Sequence, residues 1–344
     1  MEIDLRSDTV TKPTPEMHQV MMDAQVGDDV YAEDPSVNKL QNYAADLFGK
    51  DTALYFPTGS MANQAAIKLH TQPGEQLICD KWAHVYNYEG GGASFNSGVS
   101  CKLIDGHRGK VTADQVEASI NPPDFYHSPL TSLVCLENST NKGGGACYDL
   151  ETISAIRKVC DRHQLGLHLD GARLMNALVA TSIEPKEIGQ YFDTISICLS
   201  KGLGAPMGTV LVGNESIMKK AIRVRKVLGG GMRQVGFMAA AGLYGLQNHV
   251  DRLADDHQKA KEIAQVLKAS DLIEKVEPVE TNIIIFQPKE FAIDDFMQLL
   301  NKEQIKISQL GKDKFRIVTH LDYTDKQHHK MMDLLHQFDH QKVS

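Results

Sequence analysis

What this chain lacks narrows its function before any motif is read. Its six cysteines, Cys79, Cys101, Cys135, Cys147, Cys160 and Cys198, include no C-x-x-C pair. That removes the usual zinc and dithiol patterns, and the scatter fits reduced thiols used for packing better than a disulfide framework. No metal site is expected. No uninterrupted apolar run reaches membrane-spanning length, and the opening MEIDLRSDTVTKP has an early acid and no apolar core, so no membrane partner and a cytoplasmic location are expected. Basic residues number 36 against 44 acidic ones, a net charge of −8. Nucleic-acid binding leans on clustered Lys and Arg, so small molecules are the expected partners and nucleic acid is not. Proline is sparse, at 12 residues, and a hydrophobic share of 42% leaves enough apolar surface for a sizeable core. Neither G-x-G-x-x-G after a first strand nor G-x-x-x-x-G-K-[ST] occurs, which argues against a nicotinamide dehydrogenase and a nucleotide hydrolase.

What is present reads as an alternating α/β chain. At 344 residues it exceeds the size at which one core keeps growing, which favours a large domain with a smaller partner. Residues 1–35, polar and punctuated by proline, read as an N-terminal arm laid over another surface. Residues 36–246 read as the large domain. Within it the short apolar runs Gln76–Asp80, Ser132–Glu137, Gly166–Asp170 and Thr194–Leu199 predict strands, with amphipathic stretches such as Leu150–His163 between them. That order implies a largely parallel sheet. Residues 247–344 predict a linking helix from about Gln247 to Ala269, then strand, helix, strand, helix, as a small C-terminal α+β domain.

The chemistry concentrates in GLHLDGARL and TISICLSKGLGAP, where Asp170 and Lys201 each end a predicted strand. Ligands of open α/β sheets bind at that edge. A carboxylate and an amine presented together there suit pyridoxal phosphate, whose aldehyde needs a lysine and whose pyridine nitrogen needs an acid. In FPTGSMANQAAIKL, a turn at Thr58, Gly59 and Ser60 opens into a helix from about Met61 to His70. It could cup a phosphate with free N–H groups and the helix dipole, although Ser60 would serve equally as a plain N-cap. His84, in DKWAHVYNYEGGGA, is spaced to lie over a flat ring, and His127 precedes another strand; either could equally be a core or surface histidine. Arg173, Arg233 and Arg316 are candidates for gripping a carboxylate or phosphate with paired hydrogen bonds. Arg223, Arg225, His328 and His329 are assigned to solvent.

These residues, with their surroundings, resemble the low-specificity L-threonine aldolases of the fold-type I pyridoxal-phosphate family, which is grouped with the aromatic amino acid β-eliminating lyases. The likeness runs through RSDTVT, GDDVYAEDPSVN, FPTGSMAN, HVYNYEGGGA, LENSTNKGG, HLDGAR, LSKGLGAPMG, GGGMRQ and RIVTHLD. It implies retro-aldol cleavage of L-threonine, L-allo-threonine and related β-hydroxy amino acids to glycine and an aldehyde, with pyridoxal 5'-phosphate as cofactor. It implies Lys201 bonded to the cofactor aldehyde, Asp170 against the ring nitrogen, His84 on the ring, and Gly59, Ser60 and Arg233 around the phosphate. Ser7, Arg173 and Arg316 would take the substrate carboxylate, Arg173 also lying near the phenolic oxygen, and His127 would stand near the β-hydroxyl. The proton-moving base could be His84 or His127. The likeness also implies a homotetramer, a dimer of dimers with shared active sites, with Tyr31 and Arg233 as residues lent across an interface. One departure is Ser139 and Thr140, where relatives usually read LENTHN, so the histidine of that segment is missing. A β-eliminating lyase or racemase on the same scaffold is the alternative reading, and a non-catalytic pyridoxal-phosphate-binding regulator a distant one.

Overall fold

A computed structural model describes residues 2–340. The chain starts with a two-residue strand, β1 (Ile3–Asp4). The large domain carries β2 (Thr52–Phe56), β3 (Gln76–Asp80), β4 (Ser100–Ile104), β5 (Thr131–Glu137), β6 (Gly166–Gly171), β7 (Thr194–Cys198) and β8 (Thr209–Gly213). They form one seven-stranded sheet in the order β2-β8-β7-β6-β5-β3-β4. β8 alone runs opposite to the other six strands. Strands β3, β7 and β8 are buried along their whole length. Helices cover both faces, which is why these strands read as continuous apolar runs rather than alternations. Sequence periodicity predicts four of the seven strands within about a residue; β2, β4 and β8 escape it.

The small domain adds β9 (Ile273–Val276), β10 (Ile283–Pro288), β11 (Ile305–Lys306), β12 (Ser308–Gln309) and β13 (Phe315–Val318). Strands β12-β13-β10-β9 make an antiparallel sheet, and β1 pairs with β11 in parallel. Ile3 and Leu5 are fully buried in the small-domain core, alongside Phe286, Phe296 and Phe315. The first residues therefore run along the small domain of their own chain before reaching the large one. The long C-terminal helical stretch begins at Leu253, not near Gln247: helix Gly236–Asn248 ends first, and His249 in the break donates from Nδ1 to the Leu203 carbonyl at 2.8 Å.

Two assignments to solvent are corrected. Arg225 is buried on the face of its helix that carries Met218 and Ala221; it pairs with Asp29 at 2.8 Å and donates to the Tyr55 carbonyl at 2.8 Å. His328 is buried beside Met331 and Leu335, 2.7 Å from Glu262 and 3.2 Å from the Tyr323 hydroxyl. Polar residues at helical spacing look solvated in sequence, and only a distant partner makes their burial tolerable. Arg223 and His329 are exposed as expected. All six cysteines are free and five are buried. No helix among the described residues is long and apolar enough to cross a membrane.

Candidate active site

Strands β5, β6 and β7 end side by side, and Asp170 on β6 is the register partner of Glu137 on β5 and of Ser196 on β7. Their C-terminal ends open onto a cleft of about 390 Å³ lined by Gly59, Ser60, Asn63, His84, Asp170 and Lys201 among others. That volume lies within the usual range for small-molecule sites. Lys201 follows β7 by three residues, and its carbonyl is tied to the Thr11 hydroxyl at 2.9 Å, so the lysine sits on a braced turn. A larger cavity of about 790 Å³ between the two domains is lined by Trp82, Tyr88, Arg108, Lys142 and Lys314. It holds neither Lys201 nor Asp170; both line the smaller cleft.

The phosphate-cup prediction gains one detail. Thr58, not Ser60, is the N-cap of helix Gly59–His70: its side-chain oxygen accepts from the Met61 N–H at 3.1 Å. The Ser60 hydroxyl and the first-turn N–H groups of Gly59 and Ser60 make no hydrogen bond among the described residues, which is the anion-ready state of a helix start. Thr209, which also lines the cleft, has a buried hydroxyl without a partner.

Three acids crowd the floor. Asp170 accepts from Asn63 Nδ2 at 2.9 Å and from the Ala172 N–H at 3.0 Å. The buried Glu89 carboxylate takes Asn63 at 2.8 Å, Gln64 at 2.6 Å and His84 Nδ1 at 3.0 Å. Glu137 accepts the His84 N–H at 2.8 Å and the Asn141 N–H at 2.6 Å. Burial and the neighbouring Asp170 charge push the Glu137 carboxyl up to about 7, against the pull of those two N–H groups. Burial alone would lower the His84 imidazole, but its hydrogen bond to Glu89 and the fields of Asp170, Glu89 and Glu137 outweigh this and raise its pKa above the ordinary value. His84, Glu89 and Asp170 offer ligand atoms within 4.8 Å of one another. His84 is hydrogen-bonded to Glu89, and the Asn63 amide bridges Glu89 and Asp170.

The arginines divide. Arg173 is buried and forks onto Asp8 with bonds of 2.7 and 2.6 Å. Burial would raise the Asp8 carboxyl, yet Arg173 and the Lys201 charge hold it at about 2. Arg316 donates to Asn141 Oδ1 at 2.7 Å and to the Arg6 carbonyl at 3.0 Å, and its Nε is buried without a partner. Burial and then the charge of Arg173 lower its pKa, so the two guanidiniums lie close enough to feel each other. Ser7 lies next to the Arg6 carbonyl, its hydroxyl accepting from the Thr9 N–H at 3.2 Å.

Of the predicted residues, Gly59, Ser60, His84, Asp170 and Lys201 line the cleft, and Ser7, Arg173, Arg316, His127 and Arg233 do not. His127 is in an exposed loop, its ring 4.0 Å from that of Tyr126. Arg233 is half exposed, paired with Asp28 at 2.8 Å and placed over the Tyr31 ring at 5.8 Å. At the sequence departure, Ser139 and Thr140 are both buried; the Thr140 hydroxyl donates to the Arg108 carbonyl at 3.0 Å and the Ser139 hydroxyl has no partner. Sequence reading missed Asp8, Asn63, Glu89 and Glu137. Asp8 sits inside RSDTVT and Glu89 and Glu137 inside matching segments, and Asn63 interrupts an alanine-rich helix, which was the available signal.

The beta-eliminating lyase family model matches residues 4–290. The chain belongs to this family. Among its relatives, a low specificity L-threonine aldolase of Escherichia coli K12 is 43% identical over 94% of this chain and 96% of its own length. A probable low-specificity L-threonine aldolase 2 of Arabidopsis thaliana is 39% identical over 94% of this chain and 93% of its own. In fold, this member of the beta-eliminating lyase family is similar to a Leishmania major threonine aldolase, with a TM-score of 0.86 at 20% identity over 98% of this chain and 99% of that one. It is also similar to a Sphingomonas wittichii serine palmitoyltransferase, with a TM-score of 0.77 at 14% identity over 98% and 87%. The two structural likenesses agree with the expected fold-type I architecture.

Proposed function

We propose that this chain is a low-specificity L-threonine aldolase, a carbon–carbon lyase that cleaves L-threonine, L-allo-threonine and related β-hydroxy amino acids to glycine and an aldehyde. The observation that carries the reading is the convergence of Lys201, Asp170 and His84 on one cleft, with an unsatisfied helix start at Gly59 and Ser60 beside them. That donor set fits pyridoxal 5'-phosphate: an amine for the aldehyde, an acid for the ring nitrogen, an imidazole for the ring face and N–H groups for the phosphate. When bound, the cofactor supplies an electron sink for the bond broken at the substrate's α-carbon.

The rest is done by the chain. Arg316, with Arg173 and Ser7 behind it, orients the substrate carboxylate. Asp170 would accept the proton of the ring nitrogen. Glu89 anchors His84 through Nδ1, which leaves Nε2 to take the proton of the β-hydroxyl, while His127, arriving from another copy, is the second candidate for that step. A homotetramer with shared sites, in which Arg233 reaches the phosphate of a neighbouring chain, accounts for the outward placement of Arg233 and His127.

The test is product identification with the purified protein and added cofactor. Glycine and acetaldehyde in equal amounts from L-threonine and L-allo-threonine are expected. Pyruvate and ammonia from serine, with no acetaldehyde from either threonine isomer, would overturn the aldolase reading in favour of an eliminating lyase.

A further inference from the structure

Beneath the cleft, five side chains form one line of hydrogen bonds that no step above uses. His70 Nε2 lies 3.0 Å from Thr194 Oγ1, which lies 2.9 Å from His168 Nδ1. His168 Nε2 lies 3.2 Å from Asn63 Oδ1, and Asn63 Nδ2 lies 2.9 Å from Asp170 Oδ2. Local geometry explains the alignment. Asn63 and His70 are two turns apart on one helix face, His168 and Asp170 share one face of β6, and Thr194 on β7 is the register partner of His168. Gly166, on the same face of β6, leaves the room that His70 fills: a Cβ there would come within 2.7 Å of His70 Nδ1.

Each link forces the orientation of the next. Asn63 Nδ2 faces two carboxylate oxygens, Glu89 Oε1 at 2.8 Å and Asp170 Oδ2 at 2.9 Å. Carboxylates only accept, so the NH₂ end of the amide belongs there and its oxygen faces His168 Nε2 and the Ser196 hydroxyl, 2.7 Å away. His168 must therefore carry its proton on Nε2. Burial drives its imidazole pKa down to about 4 and lowers that of His70 as well, so both rings are neutral at pH 7. A neutral Nε2–H ring accepts at Nδ1, here from the Thr194 hydroxyl, whose oxygen in turn accepts from His70 Nε2–H. The Thr194 carbonyl, 3.1 Å from His168 Nδ1, is the partner that the opposite tautomer would choose.

We infer that His168, backed by Thr194 and His70, is a positioning residue: a neutral Nε2–H imidazole that locks the Asn63 amide and so presents Asp170 to the cofactor's ring nitrogen in one orientation with its charge undiminished. The inference rests on the cofactor reading above. A charged imidazole in the same place would draw part of the Asp170 field to itself and weaken the acid's hold on the ring proton.

The experiment uses the full chain freed of cofactor. Long-range ¹H–¹⁵N spectra of the histidine rings, assigned with His168→Phe, are expected to show both His168 and His70 as Nε2–H tautomers. Thr194→Val keeps the side-chain shape and deletes the hydroxyl, so it should shift His168 toward Nδ1–H. Titration with pyridoxal 5'-phosphate should then give a Kd raised about fivefold, the weight of one hydrogen bond, in both variants. A purely structural role would lower the denaturation midpoint without moving Kd. His168→Phe exchanges a buried polar ring for an apolar one; if that variant does not fold, Thr194→Val decides. His168 found as Nδ1–H in wild type, or a Kd unchanged within about twofold in Thr194→Val, overturns the inference alone. A wild-type protein that takes up no pyridoxal 5'-phosphate overturns the cofactor reading and this inference with it.

Discussion

On the floor of the cleft Asp170, Asn63 and the Glu89 side chain are buried and joined by hydrogen bonds, whereas the loops that carry His127 and Arg233 stand in solvent beside Tyr126, which is 87% exposed, and Tyr31, which is 69% exposed. The floor residues and the Tyr31 and Arg233 segments all lie within the family motifs, whereas the His127 loop does not. The difference shows that one chain by itself assembles the cleft lined by Asn63, His84, Asp170 and Lys201 and leaves His127 and Arg233 outside it. On the proposed shared-site reading, these two groups would serve a neighbouring copy. Large exposed aromatics next to such groups are the usual mark of a surface awaiting a partner.

The sharpest way to break this comparison is to attack the buried side. Asp8→Asn would leave the Arg173 guanidinium buried without its counter-charge, and should cost about 3–5 kcal/mol of stability by urea denaturation. The pair also fixes an acid limit. The Asp8 carboxyl is held at about 2 in the fold against an ordinary 3.8, so its contribution is complete above about pH 4 and is lost as pH falls toward 2. Wild type should lose more stability across that interval than Asp8→Asn, and parallel curves for the two proteins would show that the pair is not what holds this wall.

A middle-sized effect tests the outer side. Lys201→Ala and Arg233→Ala should each be nearly inactive alone. If Arg233 serves a neighbouring chain, subunit exchange between them creates mixed dimers with one doubly altered site and one intact site. Roughly a quarter of wild-type sites should then return at equal mixing. Verified exchange with no regained activity would place Arg233 in its own subunit's service, or in none.

The smallest effect is expected at His127. Because its ring is exposed in this chain, His127→Asn should change the folding stability of a single subunit by no more than about 0.5 kcal/mol. A fall in turnover without a fall in stability would mean that another copy carries this ring to the cleft. A loss of several times that stability would mean the loop is packed more firmly than the comparison assumes.

Much of the site was legible in sequence because the relevant signals are local. A run of buried residues ending in Asp170, another ending just before Lys201, and a glycine turn opening a helix at Gly59 each lie within a dozen residues, and each kept its expected place. Their meeting in one crevice follows from parallel strands sharing one C-terminal edge. Where the reading went astray, the deciding fact was a partner far along the chain. Arg225 looked solvated until Asp29 was found beneath it, and His328 until Glu262 and Tyr323 were. Strand β8 escaped because nothing in TVLVG announces that it inserts antiparallel between β2 and β7.

The sequence by itself therefore determined the kinds of elements around each motif, the order in which they occur, and the residue chemistry presented at their ends, since periodicity and turn geometry act over one or two turns of chain. Only the tertiary structure decided which charges meet. Asp8 finds Arg173 across 165 residues and Asn63 finds Asp170 across 107. Whether such a group is buried, and whether its pKa moves, depends on what the fold packs against it, because a charge is tolerated out of water only where a partner replaces the solvent.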